Sequence, residues 1–243
     1  MLCNLGSSFA YEEEKSVESC LFGKDKPMIR ALRSRIFYCA MTEALFLNDP
    51  LNDHSVAGLN RLSVLSSQLL DNWMYHHYGI KSSITCDRKL KWLLYEGYRS
   101  EFKQLRDSLA ALPMTERDLY IASLPDSDER KSKLRRVNQL MPNLGRPGIA
   151  AYDYALYLAV AQSGVRLGYL AFNEARFFSR EIAKLAQSQY ESWDEYHLAC
   201  IAGMHYLSGN DKSQKEDYST YMHARMLSRR LSPSKRISWR AKL

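Results

Sequence analysis

Residues 148–168 read GIAAYDYALYLAVAQSGVRLG. This is the most apolar stretch of the chain. It shows no alternation of apolar and polar residues, so its length and composition predict a helix over about Ile149 to Gly164. Asp153 and Gln162 interrupt it, and it is too short to span a bilayer, which needs about 20 apolar residues. Asp153 stands among Ala150, Ala151, Tyr152, Tyr154, Leu156 and Tyr157. A carboxylate in such surroundings has to be paired, capped or solvated.

Outward from this run the periodicity stays helical. Toward the N-terminus, Pro27 suits a first turn and Asn48-Asp49-Pro50 a stop, with Ile29, Leu32, Ile36, Cys39, Ala40 and Leu47 between them at three- and four-residue spacing. A second helix is expected over about 55–77, with Leu59, Leu62, Leu65, Leu69, Leu70 and Trp73 on one stripe. A third is expected over about 85–112, with Leu90, Leu93, Leu94, Phe102, Leu105 and Leu109. Thr115 with Asp118, Asp126 with Glu129, and Ser192 with Glu195 are spaced as capping boxes, in which side chains satisfy orphan N–H groups. Residues 141–148 hold two Pro and two Gly and read as a linker. Beyond the central run, helices are expected over about 171–189, from Ser192, and over about 217–231. The pattern predicts an all-α protein, a single irregular multi-helix bundle of about eight to ten helices. Its parts are a variable segment 1–26, helical subdomains 27–141 and 149–221 packed as one domain, and a basic tail 222–243.

Composition is that of a globular chain: 243 residues, 46% hydrophobic and 25% charged, with only 11 Gly and 7 Pro. That argues against a loop-rich sandwich, a collagen-like repeat or a disordered chain. The net charge of +7 is unevenly placed. Residues 1–221 carry equal numbers of acidic and basic side chains, while the last 22 residues carry seven cations and no anion. Phosphate-tracking domains usually carry their basic face on the folded body. Here nucleic-acid or anionic-membrane contact is expected through the tail only: Arg229, Arg230, Lys235, Arg236 and Arg240, with Trp239 offered for stacking. The bland alternative is a solvated terminus. Five cysteines without a CxxC pair point to a reducing compartment. No basic n-region followed by an apolar h-region is visible at the start, so a soluble cytoplasmic protein is expected.

Familiar catalytic signatures such as GxxxxGK[ST], GxGxxG, HExxH and GxSxG do not occur. His76 and His77 are adjacent, so on a helix they diverge by about 100° and do not chelate one ion. His54, His76 and Cys86, or His197, Cys200 and His205, lack a spacing that fixes a zinc geometry. No metal and no cofactor are expected. Glu101-Phe102-Lys103 has nuclease-like spacing but lies on a predicted helix, where the two charges point apart.

One polar constellation stands out. Glu96 and Arg99 are three apart on a predicted helix face, and pairing with Arg99 would settle the buried charge of Asp153. A pocket holding Glu96, Arg99 and Asp153, floored by Trp92 and Trp193, is the candidate site. The alternative is an ion pair joining helices, or a carboxylate serving a helix N-terminal turn. The sixteen tyrosines suit either recognition surfaces or the rims of helix-bundle cores.

Several blocks together resemble a known family. Gly79-Ile80, Leu90, Trp92-Leu93, Glu96-Gly97-Tyr98-Arg99 and Phe102 make one block. Gly148-Ile149 with Tyr152-Asp153, Gly168-Tyr169-Leu170 with Glu174-Ala175, and Ser192-Trp193-Asp194-Glu195-Tyr196 followed by Gly203 make a second. Over about Leu59 to Gly209 they are similar to the bacterial domain-of-unknown-function 1266 family, the YbeU/YbeR-like proteins. Tyr152 stands where that family usually has Trp, and Leu156 near where it places an Arg after its Asp. Ala171 replaces a Ser-type cap, which removes a capping bond worth about 1 kcal/mol. The resemblance implies no assigned reaction and an interaction role. The expectation is therefore a non-enzymatic protein-binding or accessory protein, with an immunity or chaperone-linked role among the options. The alternatives are an enzyme or secreted toxin domain built on the Asp153 pocket, and surface contact through the basic tail.

Overall fold

The apolar run becomes the axis of the molecule. A computed structural model of the protein describes residues 27–46, 66–208 and 232–243. Among these residues there are nine α-helices and no strand: α1 (Pro27–Thr42), α2 (Ser67–Tyr78), α3 (Ser83–Tyr95), α4 (Gly97–Ala110), α5 (Met114–Ser123), α6 (Arg130–Leu140), α7 (Ala150–Arg166), α8 (Phe172–Gln189) and α9 (Trp193–Leu207). Short 3-10 turns occupy Glu43–Phe46, Met141–Asn143 and Pro233–Arg236. The fold is all-α, as the periodicity predicted. The expected segment 1–26, the first part of the second helix and the helix over 217–231 lie outside the described residues.

In α7, thirteen of seventeen residues are buried. A helix apolar on every side is stable only when other elements surround it, and α9, α3, α8, α1, α4 and α2 do so. Small residues set how closely they approach. A Cβ added at Gly203 of α9 would stand 2.4 Å from Tyr152 Cβ, and one at Gly164 would stand 2.9 Å from Cys86 Sγ on α3. The outer helices are one-sided: α8 buries Ala175, Ser179, Ile182, Ala183 and Ala186, a single stripe at helical spacing.

A second apolar cluster joins Phe102 and Leu109 of α4, Ile121 of α5, Leu134, Val137 and Leu140 of α6, and Ile149, Ala202 and Tyr206. It therefore spans both sides of residues 141–148. That segment is a 3-10 turn followed by a tight turn at Gly148, whose φ of +59° favours glycine.

Several local expectations need correction. The single helix expected over 85–112 is two, α3 and α4, broken at Glu96–Gly97. The boxes at Thr115/Asp118 and Asp126/Glu129 do not form. α5 starts at Met114 after Pro113 with no side-chain cap. α6 starts at Arg130, and it is Asp128 Oδ1 that accepts the Arg130 backbone N–H, at 2.9 Å. The Ser192/Glu195 box forms by half: the Ser192 hydroxyl accepts the Glu195 N–H, but Glu195 turns back to the N–H of Glu191. A complete box forms instead at Ser82/Thr85 on α3. α8 has no side-chain cap at Ala171, as the replaced residue implied.

Candidate functional site

The break between α3 and α4 is built by three residues. Gly97 takes φ +64°, the left-handed region that turns the chain after Glu96. The last carbonyls of α3 would then lack partners. Arg99 supplies them: its Nη1 donates to Leu93 O at 2.6 Å, and its Nη2 donates to Leu94 O. The first N–H groups of α4 need acceptors in turn, and Asp153 reaches across from α7. Oδ1 accepts Tyr98 N–H at 2.9 Å, and Oδ2 accepts Arg99 N–H and Arg99 Nη1, each at 3.0 Å. One ion pair thus caps two helix ends from a third helix. Burial pushes the Asp153 carboxyl up, against the lowering pull of the two backbone N–H groups and of Arg99. The carboxylate has no exposed surface, and a Cβ on Gly97 would stand 2.2 Å from Oδ2. Chemically this is a fastener; no substrate could reach the carboxylate without parting the helices.

The expected pocket is accordingly not assembled as one site. Arg99 and Asp153 meet, but Glu96 sits in the break, exposed, with its backbone carbonyl taking the Ser100 hydroxyl. It therefore shares no continuous helix face with Arg99. Trp92 packs edge-on against Tyr98, ring centroids 4.8 Å apart, under the Lys89 ammonium at 4.0 Å. Trp193 belongs to a different aromatic cluster, with Phe37 and Trp239. Among the described residues no group of three or more His, Cys, Asp or Glu side chains is arranged to hold a metal ion.

A cleft opens beside the joint. It has a volume of about 220 Å³ and is lined by Arg99, Lys103 and Arg106 of α4 and by Arg146, over a floor that includes Phe102 and Tyr154. Its lining holds four cations and no carboxylate. Arg106 donates to Gly145 O and Arg146 O, at 3.2 and 3.1 Å, and so fastens the turn that carries Arg146. Asp107 stands outside the lining and pairs with both Lys103 and Arg106, at 3.3 and 3.9 Å. Sequence reading missed this cleft. Arg99, Lys103 and Arg106 do fall at i, i+4 and i+7, a usable signal, but nothing in the chain order brings Arg146 to them.

The C-terminal segment makes the second site. Trp239 is not available to stack on a base: it is 7% exposed and sits in the main core with Leu243. Its Nε1–H donates to Tyr190 O and the Trp193 Nε1–H donates to Ile237 O, both at 2.8 Å. Arg30 holds Leu243 O at 2.7 Å. Of the tail cations, Lys235, Arg236 and Arg240 are exposed, and Arg229 and Arg230 lie outside the described residues. Between this segment and the first turn of α9 lies a cavity of about 420 Å³. His197 lines it from α9, stacked on Trp193 at 5.3 Å. Its Nε2 lies 3.0 Å from Ala40 O, and since a carbonyl only accepts, Nε2 carries the proton.

The family model for the protein of unknown function DUF1266 matches residues 74–239. The chain belongs to the DUF1266 family. No curated protein and no solved structure matches it. The DUF1266 match begins later than the resemblance over about 59–209 suggested, and it runs through the C-terminal segment to Trp239. The helix joint, the basic cleft and nearly all of the larger cavity's lining fall within it. Where the family's own helix was expected to supply an Arg beside the Asp, Asp153 is served here by Arg99, from another helix. Among the described residues of this DUF1266 protein no helix is long and apolar enough to cross a membrane.

Proposed function

We propose that this DUF1266 protein is a non-catalytic binding protein that holds an acidic segment of a partner protein in the basic cleft on α4. The observation that carries the reading is the one-signed lining: Arg99, Lys103, Arg106 and Arg146 around a single cleft, over the apolar faces of Phe102 and Tyr154. Charges of one sign at a partly apolar depression favour an oppositely charged partner and speed its association. The catalytic alternative is weakened because Asp153, which motivated it, is spent on three hydrogen bonds inside the fold. The buried free thiols Cys86 and Cys200 support a reducing, cytoplasmic setting.

The test is fluorescence anisotropy with a labelled Glu-rich octapeptide and its Gln-rich counterpart. Lys103 and Arg146 are reversed to Glu together, and Arg99 is left in place because it holds the joint. Salt-sensitive binding of the acidic peptide is expected, with an affinity loss of at least about tenfold in the double variant. Equal binding by the variant overturns the assignment to this cleft. Tighter binding of a single-stranded oligonucleotide of the same charge overturns the protein-partner reading.

A further inference from the structure

Three aromatic rings from three helices close around one ammonium. Tyr78 ends α2, Trp92 stands one turn beyond Lys89 on α3, and Tyr98 lies in the first turn of α4. The Lys89 Nζ is 4.0 Å from the Trp92 ring centroid, 5.1 Å from that of Tyr98 and 5.6 Å from that of Tyr78. All three fall within the roughly 6 Å over which a ring face attracts a cation. Trp92 and Tyr98 meet edge to face at 4.8 Å, and Tyr98 leans on Tyr152 at 5.7 Å, so packing sets the rings beforehand. Lys89 and the three rings around it are all half-buried.

What the cage lacks is a hydrogen-bond acceptor. An ammonium carries three N–H donors. Lys91, Lys103, Lys131, Lys133 and Lys184 each pair with a carboxylate. Among the described residues, Lys89 forms no hydrogen bond and no ion pair with a side chain or a carbonyl. The rings attract its charge and leave its donors unmet. Methyl groups on the nitrogen keep the charge, remove the donors and add apolar contact with the ring faces. With no tether on Nζ, the side chain can swing out to an enzyme and return.

We infer that Lys89 is a methylation site whose methylated ammonium is held by Tyr78, Trp92 and Tyr98. Each transfer begins with loss of a proton from Nζ to water. Burial favours that loss, because it lowers the Lys89 ammonium from its ordinary value against the raising pull of Asp153. The nitrogen lone pair then takes a methyl group from a sulfonium donor carried by a partner methyltransferase. The N–C bond forms as the S–C bond breaks, and the bonding pair stays on sulfur, which leaves as a neutral thioether. Three rounds give a fixed positive charge. The cage shares no residue with the lining of the basic cleft, so this inference and the binding reading can fail separately.

The test reads Lys89 by mass spectrometry after digestion of the full chain purified from its native host. Methylation of Lys89 is expected in most copies, with the exposed Lys81 and Lys91 unmodified. An unmodified Lys89, an acetyl group there, or methyl groups spread evenly over Lys81 and Lys91 would overturn the inference. The cage is tested on its own in Lys89→Ala, titrated with tetramethylammonium chloride and with ammonium chloride and followed by tryptophan fluorescence. Tetramethylammonium is expected to bind at least about fivefold more tightly than ammonium, and adding Trp92→Ala should remove that preference. An equal response to the two salts also overturns the inference. The mass measurement needs no variant and stands even where one folds poorly.

Discussion

Removing the Asp153 carboxylate should cost the protein stability in a predictable amount. Asp153→Ala leaves the Tyr98 and Arg99 backbone N–H groups without acceptors and takes away the anion facing Arg99. Two orphaned N–H groups cost about 1 kcal/mol or more each. Breaking a buried ion pair costs about 3–5 kcal/mol when the remaining charge has no other partner. Arg99 keeps its bonds to Leu93 O and Leu94 O, and its side chain is 19% exposed, so the lower part of that range applies. These two costs overlap, since both count the loss of the same carboxylate oxygens, and the expected total is about 3–4 kcal/mol, a large share of a typical folding stability of about 5–15 kcal/mol. For a chain of this size that lowers Tm by roughly 6–16 °C. Urea unfolding followed by circular dichroism measures it, and Arg99→Ala with the double variant completes a cycle in which a coupling of about 1–3 kcal/mol is expected. Asp153→Asn keeps one acceptor and should lose less. A loss below about 1 kcal/mol for Asp153→Ala, or zero coupling to Arg99, would refute the fastening role and return this carboxylate to the catalytic reading.

Three further outcomes follow from the same packing. Gly97→Ala and Gly79→Ala impose the same left-handed strain, φ +64° and +66°, but only at Gly97 would the new Cβ meet the Asp153 carboxylate, at 2.2 Å; the Gly79 variant should lose about 1–2 kcal/mol and the Gly97 variant clearly more, and equal losses in urea unfolding would contradict the joint geometry. Trp239→Ala should lower stability by about 3–5 kcal/mol, as for other large core aromatics, because its ring packs on Trp193, Phe37 and Tyr196; an unchanged melting curve would mean that the C-terminal segment is not docked in solution. Burial tends to raise the Glu101 carboxyl, but hydrogen bonds from Lys133 and Tyr206 and the Lys133 charge outweigh it and hold the group below its ordinary 4.5. A depressed native value means that the unfolded chain takes up this proton first, so the stabilisation is complete above pH 4.5 and fades as pH falls through the native value. The gap in unfolding free energy between the unmodified protein and Glu101→Gln should narrow on acidification, and a gap that widens would show the sign to be wrong.

Helical periodicity was enough to read the fold class, because an apolar stripe at three- and four-residue spacing is a local property of the chain. The central run could be recognised the same way: the sequence of α7 leaves no polar face, so other elements had to surround it. The need of Asp153 for a partner was likewise legible, since desolvation of a carboxylate does not depend on topology. So was Arg99 as that partner, and the two do pair; the helix break at which they meet was not legible. Glu96-Gly97-Tyr98-Arg99 continues an apolar pattern that reads as one helix, and only the approach of Asp153 from 54 residues away makes a break there stable. The Ser82/Thr85 box escaped notice because a threonine takes the place of the usual Glu or Gln.

The chain by itself determined that helices form, which stretch is buried, and that the cations gather at the C-terminal end. Tertiary structure alone decided what those groups do. Trp239 and Trp193 lie 46 positions apart, yet they meet edge to face in the core at 4.8 Å, and a segment that composition assigned to solvent becomes a wall of the cavity beside α9. Arg146 joins the Arg99, Lys103 and Arg106 stripe because Arg106 fastens the turn that carries it. Both candidate sites arise where segments remote in sequence converge. Propensity and periodicity act over a few residues, whereas convergence is set by how the buried faces pack.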